Sequence, residues 1–362
     1  MSSGHSHHTS QAVFLWGEGD RLSPTELLAR LYQYHQTVGL EVDHFSLGGT
    51  VKLLEKKMAS ILGKESAVFM PTGTLANHLA LRHLCNSQQR VILPEQSHIY
   101  NDTGDGLEKL SGIKLIPLGK NKVCFSLNEL KDTLKQTNTG KVHTPVGAVV
   151  IESPVRRQLG QIVAYDEMKR ITEYCRLNNI ACHLDGARIF MMSVATKIPI
   201  SQYTALFDTV YVSLYKYLNS PSGAILAGPS ELLKPMIQSR RMFGGALWGC
   251  YFFAALALEE VTGFQEKLEE AFTKSKSLFS QINDLSGINI ISMKNGSNIF
   301  ILQLSQDIDS SKFSEALSKD NIYFDSAKIR RNTFTININT SLLRQSNEAI
   351  FQSVKSALEY AV

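Results

Sequence analysis

Lys216 sits between two tyrosines in "SLYKYLNSPSG", directly behind the apolar run "FDTVYV". Lysine is seldom buried unless it is paired or chemically occupied, so an ammonium group at the end of a buried strand needs a partner. Three further places put reactive side chains just after strand-like runs. In "MPTGTLANHLAL", Gly73 and Thr74 open a helix behind Pro71 and Thr72, where free backbone N–H groups and a hydroxyl suit a phosphate. In "HLDGARIF", Asp185 ends an apolar run and Arg188 follows three residues later, a carboxylate and a guanidinium at one sheet edge. In "PEQSHIYND", His98 follows a strand closely, and Ser213 precedes Lys216 by three residues. Each has a bland alternative: a solvated lysine, an ordinary strand-turn-helix junction, a salt bridge, a capping or core histidine.

The elements that must position these groups alternate strand and helix, the pattern of an α/β fold with helices on both faces of a mainly parallel sheet. Seven strands are expected at 67–70, 90–94, 114–118, 147–152, 181–185, 208–213 and 223–228. Ligands of open α/β sheets bind beyond the carboxyl ends of the strands, which is where the four places fall. "SPTELLARLYQYHQ" starts a helix, with a capping box from Ser23 to Glu26 and a proline in the first turn. From about residue 263 the pattern changes to a long polar helix, the strands "SNIFILQL", "NIYFDSA" and "TFTININ", and a last helix. The expected organisation is an N-terminal arm over 1–20, partly disordered, a large domain over 21–262 and a small C-terminal α+β domain over 263–362.

Composition narrows the classes of function. The chain has 362 residues, 43% of them apolar, and 37 Lys and Arg against 33 Asp and Glu, for a net charge of +4. The basic residues form no stripe, which argues against nucleic acid and for a small-molecule partner. No run approaches the length of a membrane span, and "MSSGHSHHTS" lacks the basic start and apolar middle of a secretory signal. Five cysteines, Cys85, Cys124, Cys175, Cys182 and Cys250, are odd in number and widely spaced, with no CxxC pair, so neither a disulfide framework nor a zinc site is indicated. A reducing compartment, the cytoplasm, is the expected address. His5, His7 and His8 belong to a short polar tail, and no motif calls for a metal.

Taken together, a phosphate cradle, a carboxylate for a pyridinium N–H, an imidazole face to stack on a ring and a lysine for a Schiff base are the needs of pyridoxal phosphate (PLP). In this order along the chain, "LGKESAVFMPTGTLANHLAL", "SHIY", "HLDGARIF", "SLYKYLNSPSGAILAG" and "RRMFGG" resemble the threonine aldolase and aromatic amino acid β-eliminating lyase family, of the aspartate-aminotransferase-like fold. The resemblance runs from about residue 50 to 260. It implies that Lys216 carries the Schiff base, that Asp185 holds the ring nitrogen, and that Gly73, Thr74 and Ser213 hold the phosphate. It also implies that His98 stacks on the ring and takes a proton from a β-hydroxyl, and that Arg188 binds the substrate carboxylate. Arg241, Gly244 and Gly245 then belong to a loop reaching a neighbouring subunit's site, in a homodimer or homotetramer.

Departures from the family pattern fall around the substrate. Glu18 and Gly19 stand where a Ser-Asp pair is usual, Thr103 beside Asp102 where the aldolases commonly carry glutamate, and "SPVRRQLG" after Glu152 where an Asn-Thr-His run is usual. Trp248 replaces an arginine, and Arg330 and Arg331 are both candidates for a small-domain carboxylate clamp, with Arg331 preferred. Arg156 and Arg157 are candidate anion binders or an exposed pair. Three functions follow: cleavage of a β-hydroxy-α-amino acid to glycine and an aldehyde, β-elimination to a keto acid and ammonia, or a non-enzymatic module that binds a phosphorylated ligand. The first is the main expectation.

Overall fold

The computed structural model describes residues 11–20, 22–86, 89–137, 139, 141–325 and 328–362. The tail histidines His5, His7 and His8 lie outside them. In chain order the strands are β1 (Val13–Leu15), β2 (Ser66–Met70), β3 (Arg90–Pro94), β4 (Lys114–Leu118), β5 (Ala148–Glu152), β6 (Ala181–Asp185), β7 (Thr209–Ser213) and β8 (Ala224–Gly228). β9 (Ile288–Ser292), β10 (Ile299–Leu304), β11 (Ile322–Phe324), β12 (Lys328–Arg330) and β13 (Thr333–Asn337) follow. Contacts divide the chain into two units, one of Leu31–Glu259 and one formed by Glu260–Val362 with the segment up to Arg30.

The larger unit is built on a seven-stranded sheet in the order β2-β8-β7-β6-β5-β3-β4. β3, β4, β5, β6 and β7 run parallel, while β8 is antiparallel to both β7 and β2. All seven strands lie where the apolar runs predict them. β5, β7 and β8 are buried along their whole length, because helices cover both faces and the strands read as continuous apolar runs. The return from β7 to β8 passes Gly223 at φ +115°, and a Cβ there would fall 2.7 Å from the Phe69 ring. Only glycine meets both demands.

Three helices come first along the chain. Helix α1 (Pro24–Thr37) starts with the expected capping box: the Ser23 N–H donates to Glu26 Oε2 at 2.7 Å and the Glu26 N–H to Ser23 Oγ at 3.2 Å. Helix α2 (Gly49–Ile61) precedes β2, and helix α3 (Gly73–Cys85) follows it. The inner face of α3 packs Ala76, Leu79 and Ala80 against Val68 of β2, Tyr211 of β7 and Leu226 of β8. Each fully buried leucine of that kind contributes roughly 1.5–3 kcal/mol, and together they fix where α3 begins.

The second unit holds the antiparallel sheet β12-β13-β10-β9 and a separate parallel pair, β1 with β11. Helices Phe264–Asn283, Ser310–Lys319 and Asn347–Ala361 accompany them. Of these strands β10, β11 and β13 fall in the expected runs. β1 lies in the stretch read from sequence as an arm: Val13 pairs with Ile322, and Ala12 and Val13 are fully buried.

Candidate active site

The carboxyl ends of β5, β6 and β7 and the start of α3 open onto one cavity of about 340 Å³, within the ~300–1,000 Å³ range of small-molecule sites. Gly73, Thr74, His98, Asp185, Arg188 and Lys216 all line it. Four loops separated by up to about 140 residues in sequence therefore converge, as the rule for open α/β sheets requires.

Gly73 begins α3 because Thr72 caps it, Thr72 Oγ1 accepting the Leu75 N–H at 3.1 Å. The first N–H groups of a helix have no intrahelical partner, and Gly73 and Thr74, which carry the first two here, line the cavity. A Cβ on Gly73 would fall 2.0 Å from the Tyr211 hydroxyl, so only glycine lets the helix start this close to β7. Lys216 follows β7 in a turn, its Nζ 5.7 Å from the centre of the Tyr215 ring.

Asp185, the last residue of β6, is 2% exposed. Its Oδ2 accepts from Asn77 Nδ2 at 2.7 Å and its Oδ1 from the Ala187 N–H at 3.2 Å. Glu152 ends β5 at the same rank, paired with Asp185 in the parallel register. Its Oε2 accepts the His98 N–H at 2.5 Å and its Oε1 the Arg156 N–H at 3.2 Å. Burial, reinforced by the Asp185 charge, pushes the Glu152 carboxyl up to about 7, despite the two N–H donors and Arg188. The one clamp thus holds the backbones that present His98 and Arg156.

His98 is the first residue of a one-turn helix, His98–Asn101. Burial holds its imidazole below the usual 6.5, and among the described residues its buried Nδ1 has no hydrogen-bond partner. At neutral pH it is an uncharged base. Arg188, 7% exposed, brings a guanidinium to the same cavity three residues after Asp185. Arg156 also lines the cavity while its Nη2 reaches Asp102 at 2.6 Å, and Arg157 shares the same carboxylate at 3.4 Å.

Other expected residues lie elsewhere. Ser213 is fully buried and does not line the cavity. Arg331 belongs to the second unit, in a shallow depression with Asp307 and Asp309. The Arg241 guanidinium lies 4.7 Å from the Phe45 ring centre, Gly244 has φ +73°, and Gly245 packs against Leu75 and Pro71. Thr103 bonds back to the Ile99 carbonyl at 2.7 Å. Among the ionisable groups of the cavity, Glu152, Tyr211 and Tyr215 are not singled out by the sequence as site residues. Glu152 carries the same signal as Asp185, an acid closing a buried strand.

The chain is similar to known proteins. A family model described as Beta-eliminating lyase matches residues 33–305. The chain is 28% identical over 272 residues to the low-specificity L-threonine aldolase of Candida albicans, covering 74% of this chain and 71% of that one. A solved structure from Listeria monocytogenes EGD-E, assigned as an L-allo-threonine aldolase, is similar with TM-score 0.79 and 28% identity over 97% and 98% of the two chains. Serine palmitoyltransferase of S. paucimobilis, solved with PLP bound as a myriocin adduct, shares the fold at TM-score 0.67 and 14% identity, over 96% and 87%. With well over half of its length under that one model, the chain belongs to the beta-eliminating lyase family.

Proposed function

We propose that this protein is a PLP-dependent aldehyde-lyase that splits a β-hydroxy-α-amino acid of the threonine type into glycine and an aldehyde. The observation that carries the reading is the convergence of Lys216, Asp185, His98, Arg188 and the Gly73 helix start on one cavity. The residues present fit PLP. Gly73 leaves the α3 N–H groups open to a phosphate, Asp185 offers a buried carboxylate to a pyridinium N–H, and His98 brings an unpartnered nitrogen to the same space.

When bound, the cofactor supplies an electron sink for the charge that develops at Cα. Lys216 would hold it covalently through its Nζ. Arg188 would bind the substrate carboxylate in a two-pronged ion pair and so fix which bond of Cα stands ready to break. His98, uncharged at neutral pH, would take the β-hydroxyl proton as the aldehyde C=O forms. Glu152 holds the His98 backbone in place for that transfer. Arg156 lines the cavity in the stretch where the family's usual residues are replaced, and it would meet the substituent on Cβ.

The relatives named as threonine aldolases support cleavage over elimination. Product analysis decides it. The PLP-loaded protein, incubated with L-threonine, L-allo-threonine and a phenylserine, should yield glycine and the matching aldehyde. A keto acid and ammonia would replace the reading with β-elimination, and a protein that takes up no PLP would replace it with a non-enzymatic module.

The assembly we propose is a homo-oligomer, dimer or tetramer. The exposed Phe45, Leu47, Leu247 and Trp248 form the apolar face it would bury, with the Trp248 ring 5.0 Å from those of His44 and Phe45. A second copy fits because the Arg241–Gly245 segment, expected to reach a neighbouring site, adjoins that face. Light scattering should give a mass of two or four chains, and Trp248→Glu should lower it to one. Among the described residues no helix is long and apolar enough to cross a membrane. We place the protein in the cytoplasm, where its five free cysteines would stay reduced.

A further inference from the structure

Asp185 does not stand alone in the buried interior. Behind it runs a chain of three polar side chains, each buried and each within hydrogen-bond distance of the next. Asn77 Nδ2 lies 2.7 Å from Asp185 Oδ2, Asn77 Oδ1 2.8 Å from His183 Nε2, and His183 Nδ1 2.8 Å from Thr209 Oγ1. His183 and Thr209 are fully buried and Asn77 is 1% exposed. Three polar groups at such depth are costly unless every donor meets an acceptor.

The chemistry of each group fixes the direction of the chain. A carboxylate only accepts, so Asn77 must turn its NH₂ toward Asp185 and its oxygen toward His183. That oxygen needs a donor, so His183 carries its proton on Nε2. Its Nδ1 then accepts, and the Thr209 hydroxyl donates. Burial holds His183 down at about 4, so the ring is neutral and a single tautomer satisfies both sides.

Topology makes the chain rigid. His183 and Thr209 are register partners on β6 and β7, and Asp185 lies two residues beyond His183 on the same face of β6. Asn77 lies one turn along α3 from Gly73, on the same side of that helix. One helix therefore delivers both the N–H groups of the candidate phosphate cradle and the amide that orients the carboxylate.

We propose that Asn77, His183 and Thr209 are positioning residues, a one-way hydrogen-bond relay that holds Asp185 in its ligand-binding orientation and makes cofactor retention depend on side chains that never touch the cofactor. The proposal rests on the PLP reading above. It predicts a tautomer-specific pattern. His183→Gln keeps an N–H donor where Nε2 stood and should sustain Asn77, whereas His183→Asn reaches only the Nδ1 position and should not. Asn77→Ala removes the donor to Asp185 itself. Thr209→Val keeps the shape and removes only the far end of the chain.

The test measures PLP dissociation constants by titrating the cofactor-free proteins, together with the pH dependence of the visible absorption of the loaded proteins. Melting of the cofactor-free forms identifies variants that do not fold. The loss of PLP affinity should be largest for Asn77→Ala, roughly tenfold to a hundredfold as for a hydrogen bond to a charged group. It should be smaller for His183→Asn, and within about threefold for His183→Gln and Thr209→Val, with the absorption midpoint displaced in the same order. If Asn77→Ala melts as a folded protein but keeps wild-type PLP affinity and midpoint, or if His183→Gln and His183→Asn behave alike, the relay is refuted. If the wild-type protein binds no PLP, it is the cofactor reading that fails, and the two failures are distinct. Should Asn77→Ala not fold, the comparison of His183→Gln with His183→Asn decides alone.

Discussion

The ends of β5 and β6 place two carboxyl groups side by side, at one rank of one sheet, and give them different surroundings. Asp185 receives a side-chain donor from Asn77 and a backbone N–H from Ala187, with two further polar groups, His183 and Thr209, lined up behind Asn77. Among the described residues Glu152 receives two backbone N–H groups, those of His98 and Arg156, and it is pushed up to about 7 by burial and by its neighbour's charge. Like charges this close in a low-dielectric interior cannot both be equally stable. Strand position delivers a group to the site, and the donors around it decide its role. In the proposed reading Asp185 binds the cation, while Glu152 holds the two loops that carry His98 and Arg156.

Removing each group in turn breaks that comparison. Asp185→Ala should lower kcat/KM for aldol cleavage by about 10³ or more, the scale of losing a central electrostatic partner, and should weaken PLP retention. His98→Ala should leave PLP attached and lower kcat by about 10²–10⁴, the usual worth of a general base. In the wild type kcat/KM should rise with pH through a midpoint below 6.5, because burial lowers His98, and the variant should lose that limb. Both are read from initial rates over a pH series.

A subtler effect appears in stability against pH. His183, held near 4 in the fold and near 6.5 when unfolded, takes up its proton more readily in the unfolded chain, so it makes stability rise from about pH 4 to about 6.5. Glu152, near 7 in the fold and near 4.5 unfolded, binds its proton more readily in the fold, so it makes stability fall from about pH 4.5 to about 7. Each limb is on the order of 3 kcal/mol, and where they overlap they largely cancel. Denaturant titrations of the cofactor-free protein should therefore give a shallow profile between about pH 4.5 and 6.5. Glu152→Gln should expose the rising limb and His183→Gln the falling one. The slope is the readout, since glutamine accepts from only one of the two N–H groups that Glu152 serves and costs some stability at every pH.

Much of this architecture can be read from the residues. The seven strands of the large sheet are apolar runs bounded by breakers, and Asp185, Gly73 and Lys216 stand out because a charge or a glycine interrupts such a run at its carboxyl end. Glu152 interrupts β5 in the same way but is followed by Ser153 and Pro154 instead of the glycine that draws the eye to Asp185. Asn77 and His183 leave no signal: one is a polar residue in an amphipathic helix, the other a histidine inside a strand. Their meaning depends on contacts across more than 100 residues of chain. Strand β1 is three residues long, and its partner β11 lies over 300 residues away. Periodicity reports local burial, and neither a relay nor a distant pairing is local.

The most direct test of the central claim is to reduce the PLP-loaded protein with borohydride and map the modified peptide by mass spectrometry. One pyridoxyl phosphate adduct is expected, on Lys216, and none in Lys216→Ala. An adduct on another lysine of the wild type, or one that survives in Lys216→Ala, would contradict it.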